Sequence, residues 1–381
     1  MEQFDENLLN IESYEVLGEL PDPFLFDDGT RVKNVSEWPR RRAEMFKTAV
    51  ELQYGTIPPD PEFLDVETTY LGGNAASFII RTGTRAKPVS FRLKVIFPKS
   101  KNRPVIVDGD LCFNYAHNDG FIRAATDLDV GWALFDRTEL AYDLPGVKER
   151  RGPLFETYPE YTFGALAAWA WGYMRVVDAL EKIALPAFNL DAIAFSGHSR
   201  GGKTAALAGV LDTRAAFVNP NATCAGACGC YRVHVTASSK DTPSFKSETL
   251  ADILRNFPQW FGPDIHRYAD RENELPFDTH FLKAMVAPRV LFVSEAAEDF
   301  WSNPVGSWHS SVAAAEVFDF LGVPENIYWY FRKGTHFHKP EDVSAFASII
   351  AHHVDGKPLP DIYFKTPFKP FEKIYTWKKP E

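Results

Sequence analysis

Three consecutive stretches alternate apolar and polar residues between turn signals: "FLDVETTYL" (63–71), "ASFIIRTG" (76–83) and "SFRLKVIFP" (90–98). A period of two with one covered face predicts antiparallel strands. From "PVIVDGD" (104–110) the rhythm changes to short apolar runs separated by helices. These are "VGWALFD" (130–136), "LDAIAFS" (190–196), "AAFVNP" (215–220), "APRVLFVS" (287–294) and "NIYWYFR" (326–332). Helical periodicity fills the intervals near 163–183, 201–211, 246–255, 306–321 and 340–353. Upstream, "SEWPRRRAEMFKTAVELQYG" (36–55) opens on a serine cap signal, spaces Phe46, Val50 and Leu52 as one helix face, and stops at Gly55. Apolar strands alternating with helices predict a mainly parallel sheet covered on both faces, with an antiparallel N-terminal edge. The expected organisation is a single α/β domain with an N-terminal extension (1–35), a core (36–353) and a C-terminal tail (354–381).

Composition narrows the function classes. The chain has 381 residues, 45% hydrophobic and 24% charged, with a formal net charge of −10. That balance argues against a broad surface for nucleic acid or anionic membranes. No run approaches the roughly 18 apolar residues of a membrane span. The first residues, "MEQFDENLLNIESYEVLGEL", are acidic and lack a basic start followed by an apolar stretch, so a cytoplasmic protein is expected. Cys224, Cys228 and Cys230 cluster in "CAGACGC", with Cys112 apart. Their spacing departs from zinc-site patterns, and small buried residues are expected instead of a metal or a disulfide framework.

The chemistry gathers in "AFSGHSRGGKTAALAG" (194–209), where an apolar strand runs through Gly197-His198-Ser199-Arg200-Gly201 into an alanine-rich helix. A G-x-S-x-G sequence between strand and helix is a nucleophile elbow. The turn lifts the serine hydroxyl off the sheet, and the first helical amides, chiefly the N–H of Arg200, face the same point as oxyanion donors. A second amide is expected near 109–114. A serine nucleophile needs a base, and the base an orienting acid. His266, His280, His309, His336 and His338 follow residue 250, and the pair in "FRKGTHFHKPED" lies just past the last expected strand. His336 is the expected base, with His338 as alternate. For the acid, "FVSEAAEDFWSNP" offers Asp299, with Glu298 and Glu295 as alternates.

Ser199-Arg200-Gly201-Gly202-Lys203 resembles the S-R-x-G-K signature of the glucuronoyl esterases, carbohydrate esterases of the α/β-hydrolase fold. The resemblance extends, in order, through "EWPRRRAEMF", "YGTIPPDP", "GALAAWAWGYMRVVDALE", "NFPQWFG", "LPFDTHFLKAMVAPR" and the W-x-x-P of Trp301 to Pro304. It implies cleavage of esters between 4-O-methyl-glucuronic acid on xylan and lignin alcohols, with no metal or organic cofactor. Ser199 then matches the nucleophile, His336 the base, Arg200 the arginine that helps hold the oxyanion, Lys203 a contact to sugar hydroxyls, and Trp301 a tryptophan against the uronate ring. Trp260 and Phe261 are expected at the pocket border. Two departures stand out. Where some members carry the catalytic glutamate this chain has Ala222, so the acid must come from the later loop. A glutamine and a glutamate that contact sugar in fungal members fall near Thr249 and Phe257. The carbohydrate ester reading therefore stands beside two others: an acetyl-sugar esterase or lactonase with the same triad, and a hydrolase-like binding protein without turnover.

Overall fold

A computed structural model describes residues 8–381. Twelve strands carry the architecture: β1 (Asn10–Val16), β2 (Phe63–Gly72), β3 (Ala75–Gly83), β4 (Pro88–Ile96), β5 (Arg103–Asp108), β6 (Gly131–Phe135), β7 (Phe188–His198), β8 (Ala215–Asn221), β9 (Val233–Ser238), β10 (Phe245–Lys246), β11 (Val290–Ala296) and β12 (Ile327–Arg332). The principal helices are α1 (Trp38–Met45), α2 (Asp119–Thr126), α3 (Ala165–Ile183), α4 (Arg200–Leu211), α5 (Leu250–Asn256), α6 (His280–Ala284), α7 (Pro304–Phe320) and α8 (Pro340–Asp355). Nine strands form one sheet in the order β12-β11-β8-β7-β5-β6-β4-β3-β2. The run from β6 to β12 is parallel, and β4, β3 and β2 add the antiparallel edge. The chain leaves β5 toward β6 on one side and later returns to β7 on the other, which opens a crevice at the carboxyl ends of those strands.

Strand β7 shows why the sheet forms. Ile193 and Phe195 enter the larger core, beneath α3, α4, α6 and α7, whereas Ala192 and Ala194 enter the second, beneath α2 and α8. Both faces are thus apolar, as a central parallel strand requires. The amino-terminal helical stretch is segmented: α1 passes through a π-turn at Phe46–Glu51 to a last turn ending at Gly55 (φ 81°), where a Cβ would sit 2.4 Å from the Thr162 carbonyl. A 3₁₀ turn, Val35–Glu37, leads into α1 and is capped by Asn34, which accepts from the Ser36 amide, whereas α1 itself has no side-chain cap.

A three-stranded sheet, β1-β9-β10, stands apart from the large one. It ties the N-terminal extension down, because β1 pairs antiparallel with β9. The C-terminal segment closes over the same region. The Leu20 amide donates to the Ile374 carbonyl (3.0 Å), and the Trp377 indole N–H donates to the Leu20 carbonyl (2.8 Å). Among the described residues no helix is long and apolar enough to cross a membrane.

Candidate active site

Ser199 sits between the end of β7 and the start of α4 at φ 56°, ψ −116°, a conformation that an L-residue holds only under outside constraint. Its neighbours supply that constraint. A Cβ at Gly197 would lie 2.4 Å from the Gly201 carbonyl oxygen, and one at Gly201 would lie 2.0 Å from Asp110 Oδ2. Glycine is therefore needed at both positions by close approach. The Ser199 amide donates to the Asn221 carbonyl at the end of β8 (2.8 Å), and Asp110 Oδ2 accepts the His198 amide (3.1 Å). The hydroxyl is left raised over the carboxyl edge of the sheet.

Two loops from neighbouring strands reach it. His336, past β12, places Nε2 at 2.9 Å from Ser199 Oγ and Nδ1 at 2.5 Å from Asp299 Oδ2, past β11. A carboxylate facing Nδ1 fixes the proton there, so Nε2 turns its lone pair to the serine. Asp299 is buried and Ser302 Oγ also donates to its Oδ2 (2.6 Å), so the acid is itself held.

The alternates lie elsewhere. Glu298 braces the histidine loop: one oxygen accepts the Gly334 amide (2.9 Å), the other the Ser239 hydroxyl. Glu295 is fully buried on β11, accepts from Ser307 Oγ (3.1 Å) and leaves its second oxygen without a partner among the described residues. Burial, with Asp299 nearby, pushes its carboxyl up to about 8, so it is uncharged at neutral pH. All three carboxylates are buried, and none is a solvated surface group. His338 turns away from Ser199: its Nδ1 meets Asp342 Oδ2 (3.2 Å), and its ring lies 4.7 Å from that of His198 at an interplanar angle of 12°. His198 in turn lies 4.9 Å from the His336 ring and donates from Nδ1 to Asn221 Oδ1 (2.6 Å). Burial, reinforced by the two other imidazoles, pushes His198 down to about 3 and keeps it neutral.

On the helix side stand two cations. Arg200 Nη1 donates to Asp143 Oδ2 (2.9 Å), and its guanidinium packs 5.1 Å and 5.0 Å from the Phe257 and Trp260 ring centres. Lys203 is nearly buried, with Nζ 5.9 Å from the Trp260 ring centre. Trp260 is only 2% exposed and donates from Nε1 to Asp143 Oδ1 (3.2 Å). It thus supports the cations from below. Trp301 does stand at the surface, 37% exposed, on the loop that carries Asp299.

Within 109–114, where a second oxyanion amide is expected, four amides are engaged inside the protein. The amides of Gly109, Asp110, Leu111 and Phe113 already donate to Tyr173, Asp108, Phe135 and Asp110. The Arg200 N–H opens the first turn of α4 directly after the serine.

Glu248 has no counterpart in the sequence reading. It is buried one residue before Thr249, its amide donates to the Trp301 carbonyl (2.9 Å), and Oε2 is unpartnered among the described residues. Burial pushes its carboxyl up to about 7 against the opposing pull of Lys203. The signal available was its position beside a residue already marked as a sugar-contact site.

No group of three or more His, Cys, Asp or Glu among the described residues is arranged to hold a metal. Cys224, Cys228 and Cys230 are buried free thiols, and Cys112 is an exposed one.

A family model described as "Glucuronyl esterase, fungi" matches residues 80–322. The 4-O-methyl-glucuronoyl methylesterase of Podospora anserina is 30% identical over 327 residues, which span 85% of this chain and 64% of that protein. The Schizophyllum commune methylesterase is 29% identical over 325 residues, 84% of this chain and 77% of its own. Among solved structures, a carbohydrate esterase family 15 glucuronoyl esterase from Caldicellulosiruptor kristjansonii superposes with a TM-score of 0.81 at 28% identity, covering 99% of this chain and 100% of that one. The glucuronoyl esterase catalytic domain from Hypocrea jecorina gives 0.77 at 25% identity, covering 97% and 98%.

Proposed function

The chain belongs to the glucuronoyl esterase family of carboxylic ester hydrolases with the α/β-hydrolase fold, and from that premise we propose that it cleaves esters of glucuronic or 4-O-methyl-glucuronic acid through an acyl-enzyme on Ser199. The hydrogen-bonded line Asp299–His336–Ser199 carries the reading. His336 Nε2 takes the Oγ proton as Oγ attacks the ester carbonyl, and Asp299 stabilises the imidazolium that forms. The tetrahedral oxygen settles between the Arg200 N–H and its guanidinium, where cation and amide are worth more than in water because Trp260 and Phe257 exclude solvent from one side. The imidazolium then hands its proton to the departing alcohol oxygen. Water, deprotonated by the same Nε2, attacks the acyl carbon and releases the uronic acid.

A uronate ester brings hydroxyls and no free charge. Lys203, a donor, and Glu248, whose Oε2 has no hydrogen-bond partner among the described residues, suit adjacent hydroxyls, and the partly exposed Trp301 offers its ring to the sugar. The printed names of the relatives, 4-O-methyl-glucuronoyl methylesterases, support the same acid half.

The test compares hydrolysis of methyl glucuronate with that of p-nitrophenyl acetate, using the parent and Ser199→Ala. The expected result is a kcat/KM for the uronate above that for the acetate, abolished in Ser199→Ala. Acetate preferred by orders of magnitude would assign an acetyl esterase. No turnover of either ester, with no phosphonate labelling of Ser199, would leave a binding protein.

A further inference from the structure

Arg200 opens α4, where a cation opposes the helix dipole and costs stability unless something nearby offsets it. Behind it lies a second guanidinium, Arg137, which is completely buried. Two cations this close to one helix terminus demand a carboxylate, and Asp143 is placed to serve both. Its Oδ2 accepts from Arg200 Nη1 (2.9 Å) and from Arg137 Nη1 (3.1 Å), while Oδ1 accepts from Trp260 Nε1 (3.2 Å). Arg137 continues inward through Nε to Asp110 Oδ1 (2.9 Å), whose other oxygen receives the His198 amide. The result is a chain of alternating charge, Asp110–Arg137–Asp143–Arg200, that grips the elbow at residue 198 on one side of the serine and residue 200 on the other.

The consequence for Arg200 is geometric. Its Asp143 bond is its one side-chain hydrogen bond among the described residues, and Phe257 and Trp260 cover one face of the guanidinium. One nitrogen is anchored, and Nε and Nη2 are left for the reacting oxygen. An arginine on four rotatable bonds would otherwise give up much of its contribution to ordering at the moment charge develops.

We propose that Asp143 is a positioning residue that aims Arg200 at the oxyanion through the shared carboxylate. This rests on the esterase reading above, and its test separates the two. In a double-mutant cycle on methyl glucuronate, Arg200→Ala is expected to lower kcat about 10²-fold, the scale of one lost oxyanion donor. Asp143→Ala is expected to lower kcat by at least about tenfold with KM changed less than about threefold, because the lost interaction forms in the transition state. In the Arg200→Ala background, Asp143→Ala should cost less than about threefold. Equal costs in the two backgrounds would overturn the proposal. Because Asp143→Ala also deprives Arg137 and can unfold the chain, Arg200→Lys supplies an independent arm. A lysine cannot hold Asp143 and the oxyanion at once, so its kcat should lie near that of Arg200→Ala. Retention of the parental kcat within about threefold would likewise sink the proposal. A failed esterase reading looks different: the unmodified protein itself shows no uronate hydrolysis.

Discussion

Two loops leave adjacent parallel strands at the same level and have opposite chemistry. The first follows β8 and the second follows β11, with Ser294 paired to Asn221 and the Ala222 amide donating to the Ser294 carbonyl (2.8 Å). In the first, Ala222, Cys224, Ala225, Ala227 and Cys228 are all buried, and the turn closes on itself through the Gly229 amide to the Cys224 carbonyl (2.9 Å). Burial pushes the thiols up, so they stay neutral packing groups. In the second, Glu298 and Asp299 are also buried but hydrogen-bonded, one with the Gly334 amide and the Ser239 hydroxyl, the other through Oδ2 with His336 and Ser302. Either loop lies within reach of the elbow. What distinguishes them is a desolvated carboxylate with donors already in place; the first loop has become core, and the second carries the charge.

The contrast can be broken experimentally at five positions. Asp299→Ala should lower kcat by about 10³–10⁴, the scale of losing an orienting acid, measured on methyl glucuronate. A loss under about tenfold would move the acid elsewhere. Glu298→Ala should cost about tenfold, acting through a loosened Gly334 and so changing kcat more than KM. If it exceeded Asp299→Ala, the two assignments would have to be exchanged. His338→Asn, which touches His198 and not Ser199, should cost only severalfold, against near-complete loss for His336→Ala.

Glu295→Gln should leave kcat within about twofold and show itself in stability. With its folded value near 8 and an unfolded value near about 4.3, the folded state holds the extra proton between those limits. Stability therefore falls as pH rises through that window. The glutamine variant lacks this slope, so its advantage over the parent should grow from pH 5.5 to pH 8, read as the difference in urea midpoints.

The parallel strands were legible because their burial on both faces leaves an unbroken apolar run, as Ile193 and Phe195 against Ala192 and Ala194 show. Strand β1 was not: "NIESYEV" is mostly exposed and is a strand only because β9 lies beside it, a pairing more than two hundred residues away in sequence. The short helix α2 had its cap in view, Asn118 accepting the Gly120 amide, but its eight residues gave too little periodicity to read. Ser199 was legible from its turn, since glycine spacing and strand–helix context are local. The acid was not separable from its neighbours, because Glu295, Glu298 and Asp299 differ only in what long-range contacts surround them. Asp143 and Glu248 were invisible for the same reason. A lone carboxylate in a loop acquires meaning only when folding sets a cation against it.

The cluster of three imidazoles, one pair tilted at 4.9 Å and one stacked at 4.7 Å between ring centres, makes the catalytic loop its own reporter. Carbon-bound protons of His198 lie within the ring-current fields of both neighbours, so their resonance frequencies depend on how closely the His336 loop is seated. A proton spectrum recorded with and without uronic acid thus registers movement at the reaction centre without any added label, before a single bond has been cleaved.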